Sequence, residues 1–215
     1  MIQLISFFEF FHQAKMSKKE IPQDELPEDA TNIIGEKKSK EELLNLDQDD
    51  ESLTRWKQSL IKENTEDEYG ENDKRQVIIK ELRVIVKDRE DIVFEMEPEE
   101  KLKDLKKNPF VLKEGCEYRF KIIFIVRKDI VTGLKWMNFV YKKGIRVDKS
   151  NEMIGSYAPQ SDPYEYLTPM ETAPSGMMAR GQYKAKSRFL DDDLNSHLEY
   201  EYAFRIRKKW PEEEK

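Results

Sequence analysis

The chain has 215 residues, 38% hydrophobic and 38% charged, enough for one well-filled domain with a polar extension. Charge is uneven: residues 1–75 carry 19 acidic and 11 basic side chains, a balance of −8, whereas the rest is close to neutral at +2. An acidic front on a near-neutral body disfavours nucleic acid, which wants a basic face, and favours a protein partner of basic character.

The opening Met1–Phe11 is apolar but too short to span a bilayer, and it lacks the basic start and small-residue cleavage site of a signal peptide. It reads as a short docking helix or as sequence ahead of the true start; a third expectation is that it fills an apolar pocket when no client is bound. Residues 12–38 are polar, contain Pro22 and Pro27, and are expected to be disordered when free. Ser39 and Glu42 then make a capping box ahead of Leu43, Leu44 and Leu46. Asp47, Gln48, Asp49 and Asp50 break that helix and offer cap and first-turn carboxylates to a second one. In the second, Leu53, Trp56, Leu60 and Ile61 fall on one stripe. Two helices this short, residues 39–62, bury too little to stand alone and need a partner surface. Residues 63–75 read as an acidic linker.

From Gln76 the period changes from 3.6 to 2. Tyr118, Phe120, Ile122, Phe124 and Val126 share one strand face, as do Leu198, Tyr200, Tyr202, Phe204 and Ile206. Val77–Val86, Leu134–Lys142 and Met177–Phe189 are further strand candidates. Turns are expected at Thr132-Gly133, Lys143-Gly144 and Pro174-Ser175-Gly176. No crossover helix is evident, so residues 76–210 are predicted to be an all-β, antiparallel sandwich, followed by a charged tail over 211–215. The single Cys116 excludes an internal disulfide and fits a reducing compartment, pointing to the cytoplasm; it reads as a small buried hydrophobe.

Catalytic signals are lacking. His12 and His197 are the two histidines, and there is no nucleophile elbow, phosphate loop or dinucleotide glycine pattern. The run Asp191-Asp192-Asp193 lacks the spaced ligands of a calcium loop and reads as a solvated strand end. No enzyme activity, cofactor or metal is expected. The aromatic row Tyr200, Tyr202, Phe204 has two readings: plain core packing, or a gap between sheets, lined with aromatics and adaptable methionines (Met177, Met178), that admits an apolar guest.

Several blocks carry a resemblance: Leu46-Asp-Gln-Asp-Asp-Glu-Ser-Leu53, Phe110-Val-Leu-Lys-Glu-Gly115, Gly155-Ser-Tyr157, Tyr164-Glu-Tyr-Leu-Thr-Pro169, Ala179-Arg-Gly181 and Lys186-Ser-Arg-Phe189. In this order, from about Glu41 to Trp210, they resemble the Rho GDP-dissociation inhibitors. The resemblance implies an immunoglobulin-like sandwich with a partly disordered, helical N-terminal regulatory arm. It implies an arm that lies on the switch regions of a prenylated Rho- or Rac-type GTPase, preferably GDP-bound, and slows GDP release. The residues expected to contact the GTPase are Asp49, Asp50, Leu53 and Trp56 of the arm, with Asp50 toward switch I, and Asp193 of the sandwich toward switch II. It further implies a geranylgeranyl group held between the sheets by Phe110, Ile130, Tyr157, Met178, Ala185 and Tyr202, with only transient membrane contact during extraction. Ala185 stands where the family usually has a larger aliphatic and Tyr202 where it usually has tryptophan, leaving farnesyl versus geranylgeranyl preference open. Pro109 and Gln182 replace serines that kinases use in the family; Tyr164 is retained. The alternatives are a general prenyl-cargo carrier of similar fold, without inhibition of nucleotide exchange, and a structural adhesion or scaffold sandwich.

Overall fold

The computed structural model describes Tyr69, Gly70 and residues 72–214. The predicted helical arm with Asp49, Asp50, Leu53 and Trp56, the tail before it and the apolar opening lie outside the described residues.

Among the described residues, ten strands and one α-helix follow in chain order: β1 Val77–Val86, β2 Ile92–Glu95, α1 Leu102–Lys107, β3 Phe110–Lys113, β4 Glu117–Val126, β5 Val131–Lys142, β6 Ile145–Tyr157, β7 Tyr164–Leu167, β8 Glu171–Thr172, β9 Gly181–Leu190 and β10 Ser196–Arg207. One sheet runs β2-β1-β4-β7, with β8 also on β4; the other runs β3-β10-β9-β5-β6. The immunoglobulin-like sandwich is all-β, and the period-2 residues form its core: Phe120, Ile122, Phe124 and Val126 from β4 meet Tyr200, Tyr202 and Ile206 from β10. Removing these faces from water is the main stabilising term, at about 25 cal/mol per Å² of apolar area.

Three local features differ from the sequence reading. The ladder is not wholly antiparallel: β3 joins β10 in parallel, Phe110 opposite Phe204. The two strands are distant in sequence, so no hairpin dictates their direction. Thr132-Gly133 is no turn but part of β5, where the register shifts between Val131 and Leu134. Gly133 sits at φ +57, and a Cβ there would lie 2.0 Å from Asp192 Oδ2, so both the backbone and the close approach of that carboxylate require glycine. In the Met177–Phe189 candidate, the strand begins only at Gly181; Met177–Arg180 turn instead, with the Ala179 amide donating to the Gly176 carbonyl at 3.0 Å. By contrast, Lys143 and Gly144, both at positive φ, make the two-residue hairpin between β5 and β6 as expected.

The stretch read as an acidic linker is fastened to the sandwich from Tyr69 onward. The Tyr69 ring receives Arg75 and Arg127 at 5.5 and 5.1 Å, and its hydroxyl donates to Glu97 at 2.8 Å. The buried Arg127 guanidinium donates to the Gly70 carbonyl at 3.2 Å.

Candidate functional site: the gap between the sheets

The site is built where β3, β10, β9 and β5 turn their side chains toward β4. Parallel pairing sets Phe110 beside Phe204, with ring centroids 5.6 Å apart, and Phe110 also stacks on Tyr202 at 6.0 Å. Phe204 in turn lies nearly flat on Tyr183 at 5.0 Å. Deeper in, Phe120 meets Trp136 edge-on at 4.9 Å. These offset and edge-on contacts are the preferred aromatic geometries, each adding about 0.5–1.5 kcal/mol beyond area burial. Ala185 is paired with Tyr202 across the β9–β10 ladder, so a small residue faces the large ring.

A polar seam runs through this apolar surface. Asn138 Oδ1 accepts from Ser187 Oγ at 2.7 Å and from the Tyr202 hydroxyl at 3.2 Å, all three side chains being buried. The Tyr200 hydroxyl and Trp136 Nε1 are buried as well, and the hydroxyl approaches Ser187 and Trp136 without reaching hydrogen-bond geometry to either. Burial raises the Tyr202 phenol well above its ordinary value, and burial raises Tyr200 too, so both are neutral near pH 7. Tyr202 serves as a donor to Asn138, and neither phenol serves as a base.

Between these walls lies a cavity of about 30 Å³, bordered by Phe110, Phe120, Trp136, Asn138, Tyr202 and Phe204 and reaching Asp148, Ser150 and Glu171 at its mouth. That is room for about one or two waters. A larger open groove of about 770 Å³ runs along the second sheet, lined by Lys106, Lys143, Lys184 and Lys186 with Tyr141 and Glu201, and bordered also by Ala185 and Tyr202. Four lysines line this groove, yet more of its surface is apolar than polar.

A family model described as RHO protein GDP dissociation inhibitor matches residues 17–209. The chain belongs to the Rho GDP-dissociation inhibitor family. It is 41% identical over 181 residues to a putative rho GDP-dissociation inhibitor 1 of Dictyostelium discoideum, covering 83% of this chain and 91% of that one. To the Rho GDP-dissociation inhibitor 1 of Rattus norvegicus it is 43% identical over 173 residues, 80% of this chain and 83% of the other. With the namesake from Arabidopsis thaliana it shares 43% over 182 residues, 83% of this chain and 73% of that.

Within this Rho GDP-dissociation inhibitor sandwich, the residues expected to hold a lipid fall in three places. Phe110 and Tyr202 come together at the gap, and Ala185, the register partner of Tyr202, lines the larger groove. Tyr157 closes β6 near the other end of the sandwich, packed on Phe124 at 5.0 Å and Tyr164 at 4.6 Å. Ile130 is beside it in sequence register, half-buried ahead of β5, its carbonyl accepting from Gln76 Nε2 at 2.9 Å. Met178 is 92% exposed on the loop between β8 and β9. Asp193 is exposed in the turn from β9 to β10, next to Asp192, whose amide donates to the Thr132 carbonyl at 3.0 Å. The ten residues of β9, about 30 Å at strand rise, therefore separate the Met178 end from the Asp193 end.

Sequence reading missed Trp136 and Asn138 as components of the gap. They are two apart on β5 and point inward together, but Met137 and Phe139 are buried on the opposite face, so no alternation marks them. The neighbouring run Asp191–Asp193 is likewise structural at its first position: Asp191 accepts from the Asn195 amide at 2.8 Å and lies 3.1 Å from His197 Nε2. Burial alone would raise the Asp191 pKa, but its bonds to His197 and Asn195 outweigh that and hold it below the ordinary value. Among the described residues, no group of three or more His, Cys, Asp or Glu could hold a metal ion, and no helix is long and apolar enough to cross a membrane.

Proposed function

We propose that this inhibitor-family member is a cytoplasmic, non-catalytic regulator. It binds prenylated, GDP-bound Rho-family GTPases, slows GDP release through the arm that carries Asp49, Asp50, Leu53 and Trp56, and lifts the GTPase from membranes by taking its lipid into the gap. The observation that carries this reading is the extent of the family match, residues 17–209, which takes in both the acidic front and the sandwich.

The gap supplies the chemistry that extraction requires. Withdrawing a twenty-carbon chain from a bilayer costs on the order of 10 kcal/mol or more, at about 0.8 kcal/mol per CH₂. Only a comparably apolar enclosure offsets that cost. A 150 Å³ apolar cavity takes a six-carbon ring, so a twenty-carbon chain needs on the order of 500 Å³. On this reading the gap, at about 30 Å³, has to widen to take the chain. Loading requires the rings of Phe110, Tyr202 and Phe204 to separate, Phe110 being on the outermost strand of its sheet.

The test is sedimentation of liposomes carrying a geranylgeranylated, GDP-loaded Rho-type GTPase, titrated with the full chain and with a chain beginning at Gln76. Release by the full chain and poor release by the shorter one is expected. Equal release by both would favour the general prenyl carrier, and release by neither would remove the lipid-binding reading.

A further inference from the structure

Outside the gap, exposed apolar side chains gather at one end of the second sheet. Met177 and Met178 are 84% and 92% exposed at the tip of the β8–β9 loop, and Ile145, at the start of β6, is 70% exposed, with Val147 beside it. The two segments belong to one surface because Lys142, the last residue of β5, binds them together. Its ammonium donates to the carbonyls of Met178 and Arg180, the latter at 2.9 Å, and to the Tyr183 hydroxyl at 3.2 Å. Lys142 is also the register partner of Ile145 across the hairpin.

Around these tips the charge is positive. Lys143 and Lys184 are exposed and hold no carboxylate among the described residues. Of the nearby acids, Glu114 takes the Arg180 guanidinium at 2.8 Å and the Gly176 amide at 2.9 Å, and Glu201 pairs with Lys106. Asp148 and Glu171 border the mouth of the gap itself, Glu171 accepting from the Tyr118 hydroxyl. The Glu114 contacts also fix the loop, so the two methionines are presented from a braced turn. Exposed unbranched apolar side chains ringed by unpaired lysines match the layered chemistry of an anionic bilayer, with phosphates and carboxylates outside and acyl chains within.

We infer that the Met177–Met178 loop and the Lys143–Val147 hairpin form a docking face for an anionic bilayer surface, with the apolar tips set at the acyl boundary and Lys143 and Lys184 against lipid headgroups. The face adjoins the gap, since Tyr183, held by Lys142, stacks directly on Phe204 of its wall. It rests on the reading above, that the chain draws lipidated clients from membranes, and adds where the sandwich touches the membrane to do so.

The experiment is flotation of the full, unliganded chain with vesicles of phosphatidylcholine alone or with about a third phosphatidylserine, at low and at physiological salt. The full chain should float with the anionic vesicles, less at higher salt, and not with the neutral ones. Lys143→Glu and Ile145→Asp should each weaken vesicle affinity about fivefold or more, as follows from roughly one surface charge or one lost apolar tip. Binding of a fluorescent geranylgeranylated peptide in solution should be unchanged in both variants. Absence of flotation, equal flotation with neutral vesicles, or unchanged flotation of both variants would overturn the docking face. Loss of peptide binding by the unmodified chain would instead overturn the lipid-pocket reading, so the two failures are told apart.

Discussion

Replacing Asn138 by leucine should destabilise the sandwich although the substitution makes its interior more apolar. Asn138 is the common acceptor of two buried donors, Ser187 Oγ at 2.7 Å and the Tyr202 hydroxyl at 3.2 Å. Ser187 is fully buried and Tyr202 nearly so, so neither hydroxyl can turn to water when the acceptor goes. Each donor left unsatisfied costs about 1–3 kcal/mol. The leucine side chain returns part of this through added apolar contact, leaving a net loss of about 1–3 kcal/mol. For a domain of this size that is a fall in Tm of roughly 3–10 °C. Thermal and urea unfolding followed by circular dichroism would measure it. The reasoning also fixes a rescue: Asn138→Leu combined with Ser187→Ala and Tyr202→Phe removes the stranded donors and should recover most of the loss, because deleting all partners of a buried hydrogen bond is nearly neutral. A stable single variant, or a triple variant no better than the single one, would refute the account.

Gly133→Ala places a methyl group about 2 Å from the Asp192 carboxylate on a left-handed backbone, and should cost at least about 2 kcal/mol in urea unfolding; a neutral result would contradict the bulge. Asp191 has its pKa depressed in the fold, so its contribution is present above the unfolded carboxyl value of about 3.9 and disappears as pH falls below it. Asp191→Asn should therefore lower stability at neutral pH and flatten the loss of stability on acidification, as read from Tm against pH. If Asp50 and Asp193 meet the GTPase body, Asp50→Ala and Asp193→Ala should each weaken the full-length complex by about 1–3 kcal/mol in titration calorimetry. Unchanged affinity in both would favour a carrier that recognises only the lipid.

Strands buried on one face were legible in the sequence and the others were not. β4 and β10 alternate large apolar with charged residues, and their inward faces match the period-2 reading residue for residue. β5 is buried on both faces, which erases the alternation and hid Trp136 and Asn138, while β6 is an edge strand with mostly exposed side chains and carries little apolar signal at all. The six residues of α1 are too few to show a helical stripe. Gly133 was read as a turn because glycine after threonine signals one locally, whereas the cause is tertiary: the approach of Asp192 from the next hairpin. At the site, Phe110, Ala185 and Tyr202 were grouped by the family resemblance, Ala185 and Tyr202 lying outside the motif blocks themselves. The polar seam they share depends on cross-strand register, which no single segment encodes.

The parallel strand β3 has a consequence for how long the protein can stay empty and open. Among the described residues, its four residues and the Glu114 amide that follows them cover the outer hydrogen-bonding edge of β10, one of the longer strands described. Any motion that carries Phe110 outward with β3 to make room for a guest also bares that edge, and a bare edge is a template for another chain. If the gap takes a lipid, as proposed, loading and self-association therefore compete for the same transient state. A collapsed aromatic stack that keeps β3 seated when no guest is present is, on that account, also what keeps one copy of the sandwich from adding its strands to the next.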